Sequence, residues 1–205
     1  MFKLLRKCLI LPCLAIVCAI GYHYLGNADY RRRMSQTAEE LKEEFDSGKK
    51  NFPWTGTAVV VEVMKGDRVK VDLEMSPKVL VRLAAIDAPE LPREHFHKGQ
   101  PFAEESRDYL AHLVKGRAVD MAIVGTDAAK TPLVLITVDG ELVNARIAEA
   151  GLAEVTEETS GMIPAKQRHR IQNGELSAQR SKRGIWGLTN YVRPVEFRIR
   201  NKGVL

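Results

Sequence analysis

The chain has 205 residues, 45% of them apolar, and 31 Lys+Arg against 26 Asp+Glu give a net charge of +5. That allows one ordinary domain with a sizeable core plus extensions. All three cysteines, Cys8, Cys13 and Cys18, lie near the N-terminus, which excludes a disulfide or cysteine zinc site in the remainder of the chain.

Residues 1–28 form an apolar leader. Lys3, Arg6 and Lys7 precede residues 8–25, which contain no Asp, Glu, Lys or Arg. As a helix that stretch spans about 27 Å, enough for a hydrocarbon core, so we expect a retained, single-pass N-terminal membrane anchor. The alternative is a cleaved signal peptide, with Gly26-Asn27-Ala28 as its small-x-small site, leaving a secreted or periplasmic protein. Arg31-Arg32-Arg33 directly after the stretch favour retention.

Residues 29–55 read as a charged helical linker. Thr37 and Glu40 form a capping box, and Leu41 and Phe45 give a thin apolar stripe. The folded domain spans 56–188. Alternating or β-branched runs predict strands near 57–64, 67–73, 79–86, 117–123 and 132–138. A helix is expected at 101–114 from the spacing of Phe102, Tyr109, Leu110 and Leu113. A second runs over 142–150 and stops at Gly151, and a third covers 164–182 with Ile171, Leu176 and Ala178 facing inward. Trp186 reads as a core plug that docks the chain end. Residues 189–205 are a basic tail, read either as a contact for an anionic partner or as a free end. Five short strands with about three helices fit an α+β domain built on a small Greek-key barrel of the oligonucleotide/oligosaccharide-binding (OB) type.

The excess positive charge lies outside the barrel. Residues 56–189 carry 18 Lys+Arg and 19 Asp+Glu, a net of −1, whereas 1–55 carry 9 against 6 and 190–205 carry 4 against 1. A basic pI is therefore no evidence that the barrel has a nucleic-acid face.

Chemistry concentrates in Arg82-Leu-Ala-Ala-Ile-Asp87-Ala88-Pro89-Glu90. Pro89 cannot continue a ladder, so Asp87 and Glu90 fall on a turn at a strand end, where a rigid scaffold holds polar groups in place. Carboxylates beside an arginine suit a hard cation and a phosphate. Taken alone, the nonamer also reads as an acidic surface turn. Upstream, Lys65-Gly66-Asp67 joins two alternating runs as a hairpin that carries Asp67 toward Asp87.

The order Gly66-Asp67-x-Val69, then Arg82-Leu-x-x-x-Asp87-x-Pro89-Glu90, resembles the staphylococcal nuclease (thermonuclease-like) family. Val138-Asp-Gly-Glu-Leu-Val-Asn144, Ala150-Gly-Leu-Ala153 and Gly184-Ile-Trp186 continue the match in order, over residues 56–188. The resemblance implies an OB-fold nuclease that hydrolyses phosphodiesters of DNA or RNA with calcium. Asp67 and Asp87 would be the carboxylate ligands and Ala88 the carbonyl ligand. Glu90 would orient or deprotonate the attacking water, and Arg82 would bind the phosphate.

Departures from the pattern are also legible. The family's second arginine falls on Thr131, and Ala128 and Ala129 stand where nucleotide-binding side chains are usual, leaving Lys130 as the candidate substitute cation. His95 and His97 are read as exposed loop histidines, His169 as part of a polar helix face and Glu175 as structural. Three readings follow. They are a membrane-tethered calcium-dependent nuclease with a modified site, a weak or inactive module that binds nucleic acid or protein, and a tethered adaptor that uses the charged helix and tail.

Overall fold

The computed structural model describes residues 54–73, 78–93 and 98–201, all within one unit of the chain, residues 51–205. The anchor stretch 8–25, the capping box at Thr37 and the loop histidines His95 and His97 lie outside the described residues. Among the described residues, no helix is long and apolar enough to cross a membrane.

Five strands make the barrel. They are β1 (Trp54–Lys65), β2 (Arg68–Asp72), β3 (Val79–Leu83), β5 (Ala118–Thr126) and β6 (Pro132–Val138). A two-residue strand, β4 (Ile86–Asp87), follows β3, and β7 (Glu141–Leu142) follows β6. Antiparallel neighbours run β3-β2-β1-β5-β6-β7, and β3 closes the cylinder by pairing in parallel with β6, Arg82 opposite Leu133 and Leu83 opposite Val134. Closure removes the open sheet edges. The barrel is therefore a closed, five-stranded mixed barrel, as the alternating runs predict.

The interior follows from the period-2 pattern. Val60 on β1, Val69 and Val71 on β2, Val81 and Leu83 on β3, and Leu133, Val134 and Ile136 on β6 are each at most 1% exposed. The β6 strand reads as a continuous apolar run because it pairs on both sides inside the molecule and lies under a helix. Register shifts on β1 between Val60 and Glu62 and between Val63 and Lys65 bend that strand around the barrel.

Helices cover the ends. Helix α1 (Ala103–Val114) buries Ala103, Ser106, Leu110 and Val114. Phe102 is not in its first turn: it precedes the helix with a left-handed backbone, φ 64°. Helix α2 (Val143–Glu149) ends before Gly151, which has φ 69°. A side chain at Gly151 would lie 2.2 Å from the Arg183 carbonyl, so the glycine is required by both backbone angle and space. A short strand β8 (Glu154–Val155) pairs with β4, Asp87 opposite Glu154, and leads to a single-turn helix α3 (Glu157–Ser160).

Helix α4 (Ala165–Arg180) corrects one expectation. Its buried line is Ile171, Gly174 and Ala178, whereas Leu176 is 45% exposed. Steps of three and four keep one face, and a residue two positions from Gly174 lies on the opposite side. Gly174 permits the α2–α4 approach, since a Cβ there would sit 2.9 Å from the Ala145 carbonyl. Near the chain end, Ile185 of the 3₁₀ turn Gly184–Gly187 is the fully buried plug, not Trp186. Trp186 is half-buried and tilts against Tyr191, with ring centroids 5.4 Å apart. The chain then forms a last helix, α5 (Pro194–Arg200), opened by a proline in its first turn.

Candidate active site

Asp67 occupies the β1–β2 turn and is 0% exposed. The turn is held close to α1: a Cβ at Gly66 would lie 1.8 Å from Ser106 Oγ and 2.9 Å from Ala88 Cβ. The Leu83 amide donates to the Asp67 carbonyl at 2.8 Å, which ties the turn to β3. Arg82 leaves β3 on the same side and is 4% exposed. After β3 the chain turns through Ala84 and Ala85, the latter left-handed at φ 63°. The Ala85 amide donates to Thr159 Oγ1 at 2.8 Å, and its carbonyl accepts from the Thr156 amide at 3.0 Å, so the strained turn is clamped from α3. This brings Asp87, 3% exposed, beside Arg82.

The four predicted polar residues converge. Arg82 donates from Nε to Asp67 Oδ2 at 3.2 Å and from Nη2 to Asp87 Oδ1 at 3.3 Å. Its Nη1 lies 3.8 Å from the exposed carboxylate of Glu158. Glu90 joins through shared cations, and Gln100 fixes its backbone: Gln100 Oε1 accepts from the Glu90 amide at 2.9 Å, and the Gln100 amide donates to the Glu90 carbonyl at 2.8 Å. Ala88 is fully buried between the two acids.

Two further cations complete the cluster. Lys65 Nζ donates to both Glu90 oxygens at 2.9 Å and lies 3.8 Å from Asp67 Oδ1. Arg198, from α5, donates through Nη1 to Asp87 Oδ1 at 3.0 Å and to Glu90 Oε1 at 2.8 Å, and through Nη2 to Asp87 Oδ2 at 2.7 Å. Burial alone would lower the Arg198 pKa, but the hydrogen bonds and charges of Asp87 and Glu90 outweigh it and hold the guanidinium above its ordinary value. Asp67, Asp87 and Glu90 thus meet Lys65, Arg82 and Arg198, three carboxylates against three cations. One oxygen stands apart: Asp67 Oδ1 is buried with no hydrogen-bond partner.

A further buried carboxylate stands across the strand pair from Asp87. Glu154 is 3% exposed, and its carboxyl is raised above the ordinary range by burial, although Arg193 and Tyr191 pull it down. It accepts from Tyr191 Oη at 3.0 Å and from Arg193 Nε at 3.1 Å. Glu175 accepts the Val155 amide at 2.6 Å, which fixes β8 against α4.

The family model of staphylococcal nuclease homologues matches residues 80–187. The chain belongs to the staphylococcal nuclease family. It is 34% identical over 126 residues to a probable endonuclease LCL3 of Clavispora lusitaniae, covering 58% of this chain and 53% of that one. A probable endonuclease LCL3 of Eremothecium gossypii is 30% identical over 129 residues, 60% of this chain and 46% of its own. An uncharacterized endonuclease of Haemophilus influenzae is 27% identical over 146 residues, 71% of this chain and 75% of its own. The chain spans about half the length of the LCL3 relatives.

Measured against the family pattern, Asp67, Arg82, Asp87, Ala88 and Glu90 lie together. Lys130 is exposed with φ 64°, and its side chain makes no ion pair among the described residues. Asp127 Oδ1 accepts the amides of Ala129 and Thr131 at 2.9 Å each, so this turn is shaped by an aspartate. Sequence reasoning did not assign Lys65, Gln100 or Arg198 to the site. Lys65 stands two residues before Asp67 in the recognised turn, a signal available locally. Arg198 lies 111 residues from Asp87 and had no such signal.

Proposed function

We propose that the domain is a calcium-dependent phosphodiesterase that hydrolyses nucleic acid, with a site modified by Thr131 and by the added cations Lys65 and Arg198. The observation that carries this reading is the meeting of Asp67, Arg82, Asp87 and Glu90 from separate turns and strands, Arg82 hydrogen-bonded to both aspartates and Glu90 sharing Arg198 with Asp87. The endonuclease names of the relatives point the same way.

The donors fit a hard cation. Among the described residues no three His, Cys, Asp or Glu side chains form a metal cluster, but calcium accepts few carboxylates together with carbonyl and water oxygens. The buried Asp67 Oδ1, which accepts no hydrogen bond, is the kind of oxygen such an ion satisfies. Asp67, Asp87 and the Ala88 carbonyl would hold the ion, which supplies a Lewis acid for phosphate oxygens. Arg82 binds and orients the phosphate through its planar fork. Glu90 takes the proton of the attacking water as the water oxygen bonds to phosphorus. The bond to the leaving sugar oxygen then breaks, and that oxygen takes a proton from solvent. Lys65, bonded to both Glu90 oxygens, keeps the carboxylate aimed.

Residues 8–25 supply the membrane tether in this proposal, supported by their length and freedom from charge; extraction of the full chain by alkaline carbonate would refute it. For the activity, single-stranded DNA and RNA are incubated with the protein in calcium or in chelator, beside Asp87→Ala. Cleavage only with calcium and only by the unsubstituted protein is expected. Absence of cleavage by folded protein at high concentration favours the second reading, a binding module, whose support is the matching of three carboxylates by three protein cations.

A further inference from the structure

We propose that Arg198, delivered by the C-terminal helix α5, is a second phosphate-binding arginine of this site, working beside Arg82. This rests on the phosphodiesterase reading above. Arg82 and Arg198 share one acceptor, Asp87 Oδ1, at 3.3 and 3.0 Å. Their two nitrogens are therefore no more than about 6.3 Å apart, the sum of those distances. Two donors that each reach about 2.9 Å to an acceptor span nearly that gap through one phosphate oxygen, and comfortably through two.

Arg198 is also held in place by the tail's own contacts. Gln100 Nε2 donates to the Val192 carbonyl at 2.7 Å, so the residue that fixes the Glu90 backbone also fixes the tail. Tyr191 and Arg193 both bond Glu154, the cross-strand neighbour of Asp87, and Pro194 is buried.

Access separates the two arginines. The Arg82 side chain is 5% exposed and that of Arg198 is 32% exposed, so an incoming phosphate meets Arg198 first. Charge gives the reason for a second guanidinium. Without α5 the protein supplies only Lys65 and Arg82 against Asp67, Asp87 and Glu90, so most of the positive charge left to face a phosphodiester that gains negative charge as it reacts would come from the bound ion. Arg198 adds a guanidinium there, exchanging carboxylate oxygens for phosphate oxygens as substrate seats.

The test uses the full chain with Arg198→Ala, Arg198→Lys and, as a control on the same helix, the exposed Arg200→Ala. Cleavage of an oligonucleotide in calcium is followed with binding of a nucleoside 5′-monophosphate and thermal melting. Arg198→Ala is expected to lower kcat on the order of 10²- to 10³-fold and to weaken nucleotide binding. Arg198→Lys should recover part of both, and Arg200→Ala should change neither. Unchanged or increased cleavage in Arg198→Ala overturns the proposal, and an increase would make α5 a latch over the carboxylates. If no form of the protein cleaves, the phosphodiesterase reading fails by itself. Nucleotide binding then decides, weaker binding in Arg198→Ala supporting the phosphate role and equal binding refuting it.

Discussion

Replacing Asn144 with alanine removes a side chain that closes the barrel where β3 and β6 part. Asn144 is 0% exposed; its Nδ2 donates to the Ala84 carbonyl at 2.9 Å and the Val134 carbonyl at 3.1 Å, and its Oδ1 accepts the Ile136 amide at 3.1 Å. Val134 keeps a second donor, the Ala84 amide at 2.8 Å. The substitution therefore strips Ala84 O and Ile136 N and weakens a third group. At about 1–3 kcal/mol for each buried backbone group left without its partner, partly recovered by water entering the space, the expected loss is roughly 2–4 kcal/mol. For a protein of this size that lowers the melting temperature by about 5–15 °C. Thermal unfolding followed by circular dichroism reads the shift. A melting temperature within about 2 °C of the unsubstituted protein would refute the reasoning, because it would mean that these bonds carry no net stability.

Other predictions follow from the site and its supports. Lys65→Met removes a positive charge 3.8 Å from Asp67 Oδ1, so calcium should bind more tightly by about 1–2 kcal/mol, roughly tenfold; equal affinity by calorimetry would deny Lys65 a place beside the ion. Gly66→Ala must displace Ser106 or the turn that carries Asp67, costing about 1–3 kcal/mol and reducing calcium affinity; a variant that melts and binds normally would show that the turn has room. The Glu175 carboxyl is raised above the ordinary range, chiefly by burial, so the folded state holds its proton more tightly than the unfolded chain. Its contribution is present below the ordinary carboxylate pKa and is lost as pH rises through the raised value. Glu175→Gln retains an acceptor for Val155, and its stability relative to the unsubstituted protein should rise from pH 4 to pH 7. A difference that is flat with pH would contradict this.

The barrel was legible because its signals are local. Alternation in Val69-Lys70-Val71 and the apolar run Leu133–Ile136 state which side of each strand is buried, and Gly151 marks a helix end whose geometry only glycine suits. Asp67, Arg82, Asp87 and Glu90 were legible as a set because each sits at a turn or strand end in a recognisable order. Leu176 was misread since composition favours leucine inside, whereas α2–α4 contact selects the small Gly174 instead. Lys65 looked like a turn residue because a lysine before glycine is common, and only folding places Glu90 opposite it. The place of the tail depends on contacts across 39 to 111 residues, among them Arg193 to Glu154, Gln100 to Val192 and Arg198 to Asp87, which no local pattern expresses.

The central claim, that Glu90 serves as the base of a calcium-loaded phosphodiesterase, is tested most directly by Glu90→Gln. Cleavage, calcium affinity and melting are measured together on the same preparation. The account predicts cleavage reduced about 10²- to 10⁴-fold with calcium still bound and the fold retained. Cleavage at the original rate would contradict it.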